Sequence, residues 1–219
     1  MLRNLMLGRI LAAVAPLVLV TQMWGGVILS PTAVLSNSAA TTPGSPIEST
    51  INHAGLLTDF VSGVTDFDLY LALNPQHTPA WIPNEWFAAA DVLSATIVYD
   101  LGGLYDIRRL ALWNEEHSGA TDIQLFSCTD AACTSPVPLG FFDVVDSPFG
   151  VSYGAQVFDL TDATTQYLQA IVRGPNVPNR FNAVSMGEIA FEANAVPEPS
   201  CFVLVALGLC GVLARRFRQ

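Results

Sequence analysis

The stretch Val98-Tyr99-Asp100-Leu101-Gly102-Gly103-Leu104-Tyr105-Asp106-Ile107-Arg108-Arg109-Leu110-Ala111-Leu112-Trp113-Asn114 decides the fold. Its apolar residues fall in short runs around a glycine pair, the pattern of strands whose side chains alternate between a core and the outside. The same rhythm continues outward, giving predicted strands at 96–101, 107–113, 122–127, 139–145, 155–160, 167–172 and 186–191. Gly, Pro and Asp punctuate them. No segment of 51–195 keeps a helical period for a dozen residues, and 85–93 is the best helical candidate, two turns long. Short strands at this spacing predict an all-β domain, an antiparallel β-sandwich of the jelly-roll kind.

The ends of the 219-residue chain read differently from its middle. Arg3 and Arg9 precede the apolar run 10–20, a second apolar stretch reaches Leu29, and small residues follow at Ser36, Ser38, Ala39 and Ala40. That order predicts an export signal over 1–40, cleaved near 38–40, with an uncleaved anchor as the alternative. Residues 41–50, TTPGSPIEST, read as a linker and 194–199 as a second one, which leaves 51–195 as the domain. After Val196-Pro197-Glu198-Pro199-Ser200 come 14 apolar residues, 201–214, and then Arg215, Arg216 and Arg218. Fourteen residues make a short membrane helix. The arginines at both ends belong on the cytoplasmic side, so the domain faces out.

Charge narrows the partners. The chain has no lysine, and between 41 and 195 it carries 18 acids against four arginines, a net charge of −14. Such a surface repels phosphate backbones and anionic lipid, so nucleic-acid binding is excluded as a working hypothesis. Neutral ligands and divalent cations suit it better.

Cys128 and Cys133 close a short turn on an exported domain, which predicts a disulfide between them, since Cys201 and Cys210 lie in the apolar tail. Gly150-Val151-Ser152-Tyr153-Gly154 matches the hydrolase pattern GxSxG in letters only, because a turn precedes it, a strand follows it, and His53, His77 and His117 all come earlier in the chain. Glu115 and Glu116 follow a strand end and read as a solvated loop pair, although a glycosidase needs only two acids across a cleft. No catalytic residue is predicted. Sugar binding needs aromatic faces and polar groups on loops. Trp81, Asn84 and Trp86, with His77 just before them and Tyr153 and Arg180 in later loops, are the predicted ligand residues, and Phe149 and Asn182 lie in later loops that a jelly roll brings to the same end; Trp113, inside a strand, is predicted core.

Two stretches resemble known families. The Val-Pro-Glu-Pro-Ser box at 196–200, the apolar helix and the terminal arginines together resemble the PEP-CTERM sorting signal of exopolysaccharide-producing Gram-negative bacteria. That resemblance implies passage through the inner membrane as an anchored precursor, recognition by an exosortase-type enzyme, removal of the tail near 197–199, and delivery to the cell surface or matrix. Separately, residues 98–107, Leu110-Ala111-Leu112-Trp113-Asn114, Gly119-Ala120-Thr121-Asp122-Ile123 and the closing Met186-Gly187-Glu188-Ile189-Ala190-Phe191 resemble the core of discoidin-like domains, the galactose-binding-like jelly rolls. The start DG-x-x-x-T-x-W is missing, and Asp66-Phe67-Asp68 followed by Trp81 is its loose equivalent. The resemblance implies a structural Ca²⁺ held by Asp66 or Asp68 and Glu188. The combined expectation is a non-enzymatic, surface- or matrix-associated module that binds extracellular polysaccharide or another glycan. Its alternatives are a structural or adhesive matrix protein and, further off, a small polysaccharide-acting enzyme.

Overall fold

The two runs around Gly102-Gly103 belong to a single strand. A computed structural model describes residues 25–79, 82–116, 118–174 and 181–196. Its strands are Val27–Leu29 (β1), Ala33–Asn37 (β2), Gln76–His77 (β3), Trp86–Phe87 (β4), Ser94–Trp113 (β5), Asp122–Cys128 (β6), Val137–Asp143 (β7), Tyr153–Gly154 (β8), Gln156–Arg173 (β9), Ser185–Met186 (β10) and Glu188–Ala195 (β11). A short helix, Phe67–Ala72 (α1), and a 3₁₀ turn, Ile47–Thr50, complete them. Where the sequence predicts two strands at 155–160 and 167–172, β9 is again one long strand.

β5 and β9 run antiparallel, from Ser94 opposite Arg173 to Leu112 opposite Gln156, with the register broken between Asp100 and Tyr105. On one side of that break β5 and β9 are flanked by β2, β6 and β7, giving the order β2-β5-β9-β6-β7; on the other, β11 and β1 extend the order β1-β11-β5-β9. Gly102, at φ +80°, supplies the left-handed conformation at the break. All pairings between these strands are antiparallel, as expected of a jelly-roll sandwich.

The core follows the alternation with one correction. Ile97, Tyr99 and Leu101 are fully buried two residues apart, but the next buried members of the same cluster are Ile107, Leu110 and Leu112. The spacing of three arises because β5 carries one extra residue against β11, where Ala193 lies opposite Ile107 and Glu192 opposite Arg109, and this bulge turns Leu110 back to the core face. Ala111 and Trp113 therefore face the other way, into a second cluster with Ile28, Phe60, Phe67, Tyr70, Tyr153 and Ala190. Segment 56–75 covers this outer face, and Trp113 Nε1 donates to the Pro75 carbonyl at 2.9 Å. Trp113 is core, as expected.

Several boundaries move. Residues 25–40 are part of the fold: β1 pairs with β11 and buries Ile28 and Leu29, and β2 pairs with β5. A cut near 38–40 would strip two strands from the sheet, so the expected boundary at 40 does not match the domain. Nor is 41–50 a linker, because Ser45, Ser49 and Thr50 are buried and the Ser49 hydroxyl donates to the Pro83 carbonyl at 2.7 Å. Asn194 and Ala195 lie in β11. The helix falls at 67–72, where Asp66 caps it by accepting from Leu69 N at 2.8 Å, and not at 85–93, where β4 runs through the core. Pairing β4 with β10 outweighs two turns of weak helical pattern.

The disulfide forms as expected, between Cys128 and Cys133, packed against Val98 and Tyr167. It closes so short a loop that replacing both cysteines by serine should lower stability by about 2 kcal/mol, a drop in melting temperature without loss of the fold. Thermal unfolding with and without reductant checks this. Among the described residues no helix is long and apolar enough to cross a membrane; 10–20 and 201–214, and with them the sorting box from Pro197 onward, lie outside those residues.

Candidate functional site

Connection 114–121 brings the two ends of the β5–β9 ladder together, running from Trp113, opposite Glu188, to Asp122, opposite Arg173. Thr121 N donates to the Arg173 carbonyl at 2.7 Å, Val144 N to that of Thr121 at 2.8 Å and Ala88 N to that of Val184 at 2.9 Å, and Gly119 bridges to Ser185. The described parts of the connections after β5, β7 and β9 therefore meet the segment around β4 at one end. Asn114 closes the first connection: its amide donates to the carbonyls of Ala120 and Val145 and accepts from Ala120 N at 2.8 Å. A Cβ on Gly119 would stand 2.2 Å from the Glu115 carbonyl, so only glycine fits there.

Beneath these loops lies a buried polar cluster. Glu85, Glu115 and Glu116 are each 0% exposed, and one carboxylate oxygen from each lies within 4.8 Å of the others. Among the described residues they are the group whose donor atoms are close enough to share a metal ion. Each has protein partners. Tyr153 donates its hydroxyl to Glu85, and His77 Nδ1 is 3.4 Å from the same oxygen. Glu115 accepts from Ser118 N and from Ser185 Oγ at 2.8 Å, and Glu116 accepts from Gly150 N at 3.2 Å. Burial, reinforced by the charges of Glu85 and Glu116 and opposed by the bonds from Ser118 and Ser185, pushes the Glu115 carboxyl up to about 8. Burial beside Glu85 also holds the Tyr153 phenol well above its ordinary value. The cluster therefore ties four loops together: β4 through Glu85, the 114–121 loop through Glu115 and Glu116, the 144–152 loop through Gly150, and β10 through Ser185.

The expected ligand residues divide accordingly. Trp86 and His77 are 0% exposed and Tyr153 is 3% exposed, so these three lie under the loops and offer no face to a sugar. Trp86 packs in the core, and His77 stacks on Tyr153 at 5.0 Å. Asn84 is half-buried, its amide donating to Thr78 Oγ1 at 3.3 Å. Trp81, His117 and Arg180 lie outside the described residues. Glu115 and Glu116, read as a solvated pair, are instead the most buried part of the site. Among the described residues the aromatic ring exposed at this end is Phe149, 67% exposed, with Val145, Val151 and Ile82 also exposed. The sequence places Phe149 with Tyr153 in the later loops, and the structure separates them, burying Tyr153 and exposing Phe149.

The acids expected to hold calcium do not converge. Asp66 caps α1, and Asp68 pairs with Arg109 at 2.8 Å, where the guanidinium also meets Glu192 at 2.6 Å and lies over the Phe67 ring. Glu188 is buried, its Oε2 accepting from His53 N at 3.0 Å while Oε1 has no hydrogen-bond partner. A hard cation takes six to eight oxygens. Among the described residues this trio is not a set of acids close enough to share an ion, and it does not fit calcium.

No protein-family model matches the chain, and no curated protein is similar to it. Its fold is similar to solved structures. One is CBM32-3 from a family 31 glycoside hydrolase of Clostridium perfringens, with a TM-score of 0.50 at 12% identity over 76% of this chain and 91% of that one. Another is the C-terminal domain of a chitobiase from Bacteroides fragilis, at 0.52 and 12% identity over 78% and 99%. A third is a putative chitobiase fragment from Bacteroides thetaiotaomicron, at 0.53 and 13% identity over 81% and 99%. At such identities the likeness is one of fold, and it agrees with the all-β jelly roll read from the sequence.

Proposed function

We propose that this chain is an exported, non-enzymatic module that binds neutral glycans with the loop end of its sandwich. The observation that carries the reading is the display of Phe149 on a loop anchored next to it by Gly150 to the buried Glu116. A rigid base under an exposed aromatic ring is what a sugar's C–H face needs for stacking. Asn84 neighbours Glu85 in the same bolted assembly and supplies an amide at its edge. Trp81 and Arg180, on the neighbouring segments, are the further contacts the sequence proposes. Support also comes from the fold it shares with a CBM32 module and chitobiase domains. The surplus of acids argues for neutral over uronic or sulfated glycans, since like charges repel at a surface.

The arrangement of the ends belongs to the same proposal. The 196–200 box with its apolar helix and arginines routes the precursor through an exosortase-type enzyme, and the mature form works at the cell surface or in the matrix.

A glycan array with the full chain, in calcium and in chelator, tests the binding. Neutral glycans should bind alike in both conditions, and Phe149→Ala or Trp81→Ala should weaken binding by about tenfold or more while the melting temperature stays put. A folded chain that retains no glycan, or binding indifferent to both substitutions, would overturn the assignment.

A further inference from the structure

We propose that the outward side of segment 57–73 is a lipid-facing surface, laid against the membrane that the two apolar ends of the chain enter. Five large apolar side chains stand out from this one segment: Leu57, Val61, Val64, Leu69 and Leu73, each between 60% and 72% exposed. Its inward side is already satisfied, because Phe60, Phe67 and Tyr70 pack on Ala111, Trp113 and Ala190. The exposed residues are therefore surplus to the fold. Leu69 and Leu73, four apart around α1, share one face. An apolar concentration of this kind marks a contact surface.

The path of the chain names the occupant. Segment 57–73 is bonded directly to the start of the fold: Phe67 N donates to the Gly26 carbonyl, Ile28 N to that of Thr65, and Gly63 N to that of Ile28, all at 2.9 Å. Val27 is opposite Ala193 in the β1–β11 ladder, so the chain enters and leaves the domain at neighbouring points. From Val20, the last residue of the first apolar run, to Gly25 is five residues, and from Val196 to Cys201, the first of the second run, is another five. Five residues span at most about 18 Å. Both tethers thus hold the β1–β11 edge, and the segment bonded to it, close to the bilayer.

Charge selects the lipid. Asp59 and Asp68 are exposed beside the apolar side chains; His53 Nδ1 meets Asp59 at 2.7 Å, and Arg109 is committed to Asp68 and Glu192. Anionic headgroups are repelled, so the surface suits zwitterionic ones, with the leucines and valines entering the boundary between headgroups and acyl chains. None of the residues proposed to meet a glycan belongs to 57–73, so this inference stands or falls independently of glycan binding. It rests on the expectation that 10–20 and 201–214 enter the membrane, and so concerns the anchored precursor before its tail is removed.

The full chain is reconstituted into phosphatidylcholine vesicles containing a trace of phosphatidylcholine with a photoactivatable group high on its acyl chain, and the lipid adducts are mapped by mass spectrometry. Adducts in 57–73 as well as in both apolar ends are expected. Leu69→Ser with Leu73→Ser should lose the 57–73 adducts, keep those of the ends and leave the melting temperature unchanged; replacing half the lipid by phosphatidylglycerol should reduce the 57–73 adducts alone. Labelled ends with an unlabelled 57–73 would overturn the docking while leaving the tethers intact. Unlabelled ends would overturn the tethers and the docking with them. Protein–protein adducts joining two 57–73 segments would show a second copy covering the surface, and would overturn the proposal too.

Discussion

Trp86→Ala should unfold the protein, or bring it to the edge of unfolding, at room temperature. Trp86 is among the largest fully buried side chains, it opposes Met186 in the β4–β10 pair, and it joins the main core cluster. Truncating a buried tryptophan costs about 3–5 kcal/mol, against total stabilities of about 5–15 kcal/mol for ordinary domains. The indole nitrogen is buried with no hydrogen-bond partner. Trp86→Phe should therefore be far milder, since it keeps most of the apolar volume and removes an unsatisfied donor. Urea denaturation followed by circular dichroism separates the two variants. A ligand-contact role for Trp86 would give the opposite result, lost glycan binding with an unchanged denaturation midpoint, and that outcome would show that β4 lies nearer the surface than described.

Stability should fall as pH rises from about 4.5 to about 8. The Glu115 carboxyl, with an ordinary value of 4.5, is raised to about 8 in the folded state, chiefly by burial. Between those limits the folded protein holds a proton that the unfolded chain has released, so raising the pH favours unfolding. The contribution is fully present below about 4.5 and gone above about 8. Glu188, raised by burial and only partly relieved by His53 N, acts in the same direction. The loss is on the order of a few kcal/mol. Glu115→Gln removes the ionisation while its amide oxygen keeps accepting from Ser118 N and Ser185 Oγ, so this variant should outlast the parent at pH 8 and show a shallower pH profile. Melting temperatures at pH 5, 6, 7 and 8 measure both effects; a profile that rises with pH in the parent would refute the protonated, buried state of Glu115.

The sheet was readable because its signal is periodic. The alternation at 97, 99 and 101, and the buried Trp113, came directly from residues two apart on extended backbone. Strand ends were less readable, since neither the continuity of β5 past Gly102-Gly103 nor that of β9 leaves a compositional mark. Apolar character also misled where export and core formation ask for the same residues: Val27, Ile28 and Leu29 fit a leader as well as they fit β1. At the loop end the difficulty was burial. Aromatic and acidic residues have the same letters above and below a loop, and only tertiary structure separates the displayed Phe149 from the buried Trp86, Tyr153 and Glu115. Glu188 was picked out by resemblance and is indeed buried at the head of the last strand, but Asp66 and Asp68 are held by α1 and Arg109.

The pairing of Val27 with Ala193 sets how the domain answers mechanical load. A force drawn between the two chain ends meets the β1–β11 ladder at its open end, so its rungs come under tension one at a time, and β1 contributes only three residues to it. A force drawn between the ends and a ligand held at the loop end runs instead along β5 and β9, where the rungs share the strain in shear. A pull on the loop end would thus load the long strands in their resistant direction, while a pull that separates Val27 from Ala193 would peel the first strand away at low force.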